Sequence, residues 1–287
     1  MSFQSNEHWD IIIEPKTRRF SLNLKEVWQY RDLLQMYIKR DIVTMYKQTI
    51  LGPLWFIIQP LFTSIMLMFV FGGIANISTD GLPQMLFYMC GVMNWTYFSE
   101  CLTKTSTTFT TNKDVFSKVY FPRLVVPISG VISNLIRLGI QIGLFLCMYL
   151  YFYSKGADIH FTSYIFLYPF FVALLAAMSL GFGIIISSLT TKYRDLAILF
   201  TFVIQLWMYA TPIAYPLSVM KENYEQYMWI IQLNPVTSIM EAIRYAFMGV
   251  GTFSFESLAY SICFTIVILL VGIVIFNKVE KSFIDVV

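Results

Sequence analysis

Charge is scarce in this sequence. Asp, Glu, Lys and Arg make up 13% of its 287 residues, against 57% hydrophobic ones. A soluble domain carries roughly 25% charged residues, so a globule of this size would lack the groups that solvate its surface. A soluble catalytic domain is therefore excluded, and a surface turned toward lipid is required. Histidine is scarcer still: His8 and His160 are the two in the chain, and neither sits in an expected span. Cys90, Cys101, Cys147 and Cys263 all lie within apolar stretches. They read as small buried hydrophobes, with no disulfide or zinc framework expected. No G-x-x-x-x-G-K-[S/T] occurs, so no ATP is expected to bind this chain through that loop. Paired carboxylates of the kind a metal-dependent sugar or polyprenol transferase needs are missing from the span ends, and no catalytic or metal-ligating group is expected. The first 20 residues hold no apolar core of a cleavable signal peptide, so insertion is expected to start at the first long apolar run.

What is present in quantity is apolar sequence, with a mean hydropathy of +0.65. A hydrocarbon core takes about 20 residues of helix. Runs of that length are expected at 53–73, 84–104, 127–152, 163–189, 196–215 and 257–277. The expected fold is an all-α integral membrane protein with six transmembrane helices. Residues 1–52 form a cytoplasmic N-terminal segment, 53–277 the six-span domain and 278–287 a cytoplasmic tail. Within the first segment, Val27, Tyr30, Leu34, Ile38, Ile42 and Met45 recur at helical spacing, with Lys25, Gln29, Asp32, Arg40 and Lys47 on the other side. That is the pattern of an amphipathic helix lying in the membrane interface. The 216–256 connection is too long for a turn. Asn234-Pro235 opens a helix there, with Pro at the first helical position, and short interfacial or re-entrant helices are expected.

Basic residues set the orientation. Lys16, Arg18, Arg19, Lys25, Arg31, Lys39, Arg40 and Lys47 precede the first expected span, and Lys104, Lys113, Lys118 and Arg123 stand between the second and third. Lys192, Arg194, Lys278 and Lys281 fall on the same side, whereas Lys155, Lys221 and Arg244 face them across the bilayer. Both termini are expected in the cytoplasm. Polar residues inside the spans share faces: Asn134, Arg137 and Gln141; Asn94, Tyr97, Cys101 and Lys104, with Glu100 beside them; Trp55, Gln59, Phe62 and Met66; Phe202, Gln205 and Tyr209. Such stripes mark a bundle interior, a subunit interface or a water-filled path. The Gly181-Phe182-Gly183 run reads as a small-residue packing site.

Trp28-Gln-Tyr-Arg-Asp-Leu-Leu, Arg40-Asp41-Ile42, and Tyr46 to Trp55 ending at Gln59-Pro60 carry a resemblance. So do Lys118-Val-Tyr-Phe-Pro-Arg123, Tyr193-Arg194-Asp195-Leu196, Thr211 to Pro216, and Asn234-Pro235 followed by Glu241 and Arg244. In this order, over about residues 15–280, the chain resembles the membrane permeases of type-2 ABC exporters that move O-antigen, teichoic acid or capsule polysaccharide. It departs from them at Val43 and Met45, where relatives often carry basic residues, and at Leu124, where an acidic one often stands.

The resemblance implies a homodimer bound to two copies of a separate ATPase, which would hold the ATP and Mg. This chain would bind no cofactor itself. Its expected location is the bacterial inner membrane, and its expected substrate a polyprenyl-diphosphate-linked glycan or a lipid-linked capsule chain. Trp55, Gln59, Phe62, Tyr97, Gln205 and Tyr209 are the expected substrate path. Arg40, Lys47 and Arg123 are the expected headgroup or partner contacts on the cytoplasmic side. ATPase coupling would fall to Asn112, Lys113, Asp114, Val115, Phe116, Lys118, Arg194 and Asp195. An outer gate would involve Asn234, Pro235, Glu241 and Arg244. Two other readings stay open: a type-2 exporter of a drug or small lipid, and a membrane-embedded glycan or lipid transferase.

Overall fold

The computed structural model describes residues 24–47, 50–116, 118–119, 121–193 and 195–286. Among them every regular element is a helix. Helices α1 (Leu24–Gln29) and α2 (Arg31–Tyr46) occupy most of the expected amphipathic stretch. Gly52-Pro53-Leu54 turns into α3 (Trp55–Leu67), whose last turns widen into a π-helix at Met68–Ile74. Then come α4 (Gln84–Ser106), the single turns α5 (Thr108–Thr111) and α6 (Lys113–Phe116), α7 (Val125–Ser154), α8 (Tyr168–Lys192) and α9 (Leu196–Ala210). The long connection holds α10 (Leu217–Asn223), α11 (Met228–Leu233) and α12 (Pro235–Met248), and α13 (Phe255–Val286) closes the chain.

Among the described residues, four stretches are long and apolar enough to cross a membrane: Gly52–Ile74, Val125–Ser154, Ser163–Thr191 and Phe255–Lys278. The other two expected spans form helices that differ from this standard. Helix α9, with 15 residues, is short, because the chain leaves the helix at Thr211 for the turns that lead to Pro216. Helix α4 is long enough at 23 residues but polar. The polarity has a structural reason: α4 is the central helix, packed on α3, α7, α8, α9 and α12, and 16 of its 23 residues are buried. A helix enclosed by protein does not need an apolar surface for lipid.

Close approach of the long helices depends on small residues, as expected for the 181–183 run. A Cβ on Gly181 would stand 2.6 Å from Ile268 on α13, and one on Gly183 would stand 2.4 Å from Thr105 on α4. Interfaces of this kind gain their stability from van der Waals packing of backbones, since lipid offers no hydrophobic driving force between helices.

Two apolar clusters result. The larger joins α4, α7, α8 and α12 around Phe87, Met93, Phe98, Phe145, Phe171 and Phe247. The smaller, at the other end, joins Val27 and Tyr37 to Phe109, Phe116, Phe121, Val125, Ile184 and Phe276. The four cysteines divide. Cys90 and Cys101 are buried, but Cys147 and Cys263 lie on exposed helix faces, because their helices turn those faces away from the bundle.

Candidate functional site

Helix α12 is built from strong local signals. Asn234 caps it, its side-chain oxygen accepting from the Val236 N–H at 3.1 Å, and Pro235 takes the first helical position. Gly249 ends it at φ 71°, and a Cβ there would meet His160 at 2.5 Å. Asn234 also ties α12 to the end of α9. Its oxygen accepts from Trp207 Nε1 at 3.0 Å, and its amide donates to Thr211 Oγ1 at 2.9 Å. Glu241 and Arg244, each 2% exposed, form a buried ion pair. Arg244 also donates to the Pro212 carbonyl at 2.6 Å and stacks 4.0 Å from the centre of the Phe87 ring. Glu241 accepts from the Thr252 N–H at 3.2 Å. The four residues expected at an outer gate therefore form a fixed bracket joining α12 to α4 and to the turns at 212 and 252. A pair this enclosed resists motion, because separating it would leave uncompensated buried charge.

A groove of about 340 Å³ runs between α4 and α9. Gln205 and Tyr209, two of the expected path residues, line it, together with Trp95, Ser99, Thr103, Thr201, Ile204 and Met208. Trp55, Gln59 and Phe62 do not line it. They stand on the exposed face of α3. Tyr97 is buried in the bundle at 3% exposure, so it does not lie on an open path in this chain. The signal for the missed residues was present: Trp95, Ser99 and Thr103 repeat every four residues. On α4 polar and apolar side chains occur all round, and the 94–97–101–104 stripe, one position away, looked equally good. That stripe faces inward: Asn94 accepts from the Tyr168 hydroxyl at 3.1 Å, and Cys101 Sγ accepts from Asn134 Nδ2 at 3.5 Å.

The intramembrane charges are paired. Arg137 Nη1 meets Glu100 Oε1 at 2.6 Å, and its Nη2 donates to Gln59 Oε1 at 2.8 Å. Gln141 Nε2 donates to the Phe56 carbonyl at 3.4 Å. The stripe on α7 thus serves α3 and α4.

At the end built around the smaller cluster, Arg40 stays half exposed. It pairs with Asp41 at 2.9 Å and lies 4.4 Å from the Tyr37 ring centre. Burial pushes the Tyr37 phenol above its usual value, so Arg40 meets a neutral ring. Lys47 is exposed at the end of α2. Arg123 departs from expectation: it is buried at 8% exposure, its guanidinium 5.7 Å from the Phe116 ring centre, where it braces the turn before α7. Among the expected coupling residues, Asp114, Val115, Lys118 and Asp195 are exposed, Asn112 and Lys113 are half-buried, and Phe116 is a buried anchor. Arg194 lies outside the described residues. Ser187 Oγ accepts from the Phe109 N–H at 3.4 Å, and Thr190 Oγ1 donates to the Ser106 carbonyl at 3.3 Å. Those bonds tie α5 and the end of α4 to the last turns of α8, the end that leads to Tyr193 and Asp195.

Comparison with known proteins agrees with this architecture. The chain is 28% identical over 261 residues to the O-antigen export system permease protein RfbA of Klebsiella pneumoniae, covering 89% of this chain and 95% of that protein. It is 26% identical over 225 residues to the RfbA permease of Myxococcus xanthus, covering 78% and 83%. To the polysialic acid transport protein KpsM of Escherichia coli it is 24% identical over 245 residues, covering 85% and 92%. The family signature described as ABC-2 type transporter matches residues 32–248, and the chain belongs to that family.

Proposed function

We propose that this chain is the membrane permease subunit of an ATP-driven exporter that carries a lipid-linked polysaccharide, a polyprenyl-diphosphate-linked O-antigen in the first instance, out of the cytoplasm. The observation that carries the reading is the α4–α9 groove. Trp95 and Tyr209 offer flat faces to the C–H side of a sugar ring. Ser99, Thr103, Thr201 and Gln205 offer hydroxyls and an amide to its hydroxyl groups. Among the described residues no charged side chain lines the groove, so a long chain can slide through without being held at one point. The permease names of the relatives in three bacteria support the same class of cargo.

In this reading α3, α4, α7, α8, α9 and α13 are six spans in the bacterial inner membrane, with both termini in the cytoplasm. Residues 53–277 form the transport domain, between the N-terminal segment 1–52 and the tail 278–287. Two copies face each other, each with one ATPase chain that holds ATP and Mg. The exposed surface of α5 and α6 docks on the ATPase. Arg40 and Lys47 meet the anionic headgroup or the partner at the cytoplasmic surface. Trp55, Gln59 and Phe62, exposed on α3, complete the path across the dimer.

The test is reconstitution of the chain with its ATPase in proteoliposomes supplied with a polyprenyl-diphosphate oligosaccharide. Wild type is expected to move the glycan only with ATP. Gln205→Ala and Tyr209→Ala are expected to lower transport about tenfold, the loss of one stacking or hydrogen-bonding contact of roughly 1–1.5 kcal/mol, with ATP hydrolysis retained. Transport of a drug-like dye or free lipid, and none of the glycan, would overturn the reading.

A further inference from the structure

The exporter reading leaves unexplained why charges stand inside the bundle at all. Helix α4 carries Glu100 and Lys104 one turn apart. Lys104 Nζ meets Asp41 Oδ2 on α2 at 2.6 Å and donates to Ser133 Oγ on α7 at 3.1 Å. Gly130 makes room for its stem: a Cβ there would stand 2.9 Å from Lys104 Cδ. Four residues beyond Ser133, one turn along α7, Arg137 divides its two terminal nitrogens between Glu100 on α4 and Gln59 on α3. Two sets of side-chain contacts, joined by one turn of α4 and one turn of α7, thus link Asp41 on α2 to Gln59 on α3. Asp41 and Arg137 cannot relax into solvent, their side chains being 7% and 11% exposed, while Lys104 and Glu100 keep 33% and 38% of theirs.

We propose that Glu100 and Arg137 are positioning residues for α3, and that with Lys104 and Asp41 they tie the Gln59 face of the path to the interface helix α2. The proposal rests on the exporter reading, in which α3 borders the path and α2 lies where the ATPase and headgroup act. The rigid fork of the guanidinium is the physical basis. Its two terminal nitrogens are fixed relative to each other, so a shift of Glu100 with α4 reorients the group that holds Gln59. An apolar contact of the same size would let α3 slide.

The experiment uses the reconstituted complex with its ATPase and a polyprenyl-diphosphate oligosaccharide, and reads glycan moved per ATP hydrolysed, normalised to assembled complex. A purely structural role would lower the amount of complex and leave that ratio unchanged. Glu100→Gln and Asp41→Asn are each expected to lower the ratio about tenfold, within the usual range of a coupling between sites. The double variant is expected to be no worse than the worse single one, because both cut the same link. Exchange of the charges, Glu100→Arg with Arg137→Glu, restores an ion pair but takes the fork away from Gln59, and is expected to leave the ratio as low as in Glu100→Gln. Arg137→Lys, which keeps the charge and loses the fork, is expected to lower the ratio to a similar extent. An unchanged ratio in Glu100→Gln, or additive losses in the double variant, would overturn the positioning role. A wild-type complex that moves no glycan would instead overturn the exporter reading itself.

Discussion

Arg244 and Glu241 hold each other in an enclosure that leaves each 2% exposed. Removing one partner leaves the other charged and dry, which typically costs about 3–5 kcal/mol. Arg244→Met and Glu241→Gln are therefore each expected to lower the thermal midpoint of the detergent-solubilised chain sharply. The double replacement Glu241→Leu with Arg244→Met is expected to regain most of that loss. Equal destabilisation of the double variant would show that Arg244 acts through its bond to the Pro212 carbonyl more than through the ion pair. At this scale the sequence was legible where chemistry is local. Asn234 and Pro235 announced the start of α12, and Gly249 ends it. The further partners of Glu241 and Arg244, and those of Glu100 and Arg137, were not legible, since they lie on other helices or on distant turns. Arg123 misled for the same reason: a basic residue beside an apolar run looks like a surface group until packing encloses it.

Helices meet here through small residues, and the consequence is testable at one crossing. A Cβ at Gly183 would press to 2.4 Å of Thr105 Cβ and 3.2 Å of the Leu102 carbonyl. One of these contacts is backbone, so the helices themselves must shift. Gly183→Val is expected to destabilise the fold by about 1–3 kcal/mol through overpacking, measurable as lower resistance to thermal aggregation in detergent. Gly139→Ala and Gly143→Ala, on α7 with open space around each glycine, are expected to leave it unchanged. The element boundaries of α7 and α8 were readable from apolar length alone. Helix α4 was readable as a helix, but its working face was not. A polar helix surrounded by five others presents a different neighbour on each side, and periodicity cannot say which side opens on the groove.

For the whole molecule, the smaller aromatic cluster joins α2, the α5–α6 turns and the ends of α8 and α13 into one platform. A force applied to the exposed surface of α6 would be carried by Phe116 into that platform. Replacing Asp114, Val115 and Lys118 together by Ala is expected to preserve the fold, because all three are exposed. The same replacement is expected to abolish ATP-dependent export and weaken capture of the ATPase in detergent pull-down. Export and ATPase binding at wild-type level would remove α6 from the docking surface.

The sequence by itself determined that this is a membrane protein of helices, the approximate extent of the long helices and, through ordered motifs, the kind of protein it resembles. Those properties follow from composition, apolar run length and local caps, which act between residues near one another in the chain. Only the tertiary structure decided which polar residues are sealed in pairs and which remain open. It moved Tyr97 and Arg123 into the interior, and it made Glu241 and Arg244 a bracket. It also brought Trp95, Ser99 and Thr103 beside Gln205 and Tyr209. The physical reason is that the cost of burying a polar group depends on which other helix stands opposite, and that is a property of packing.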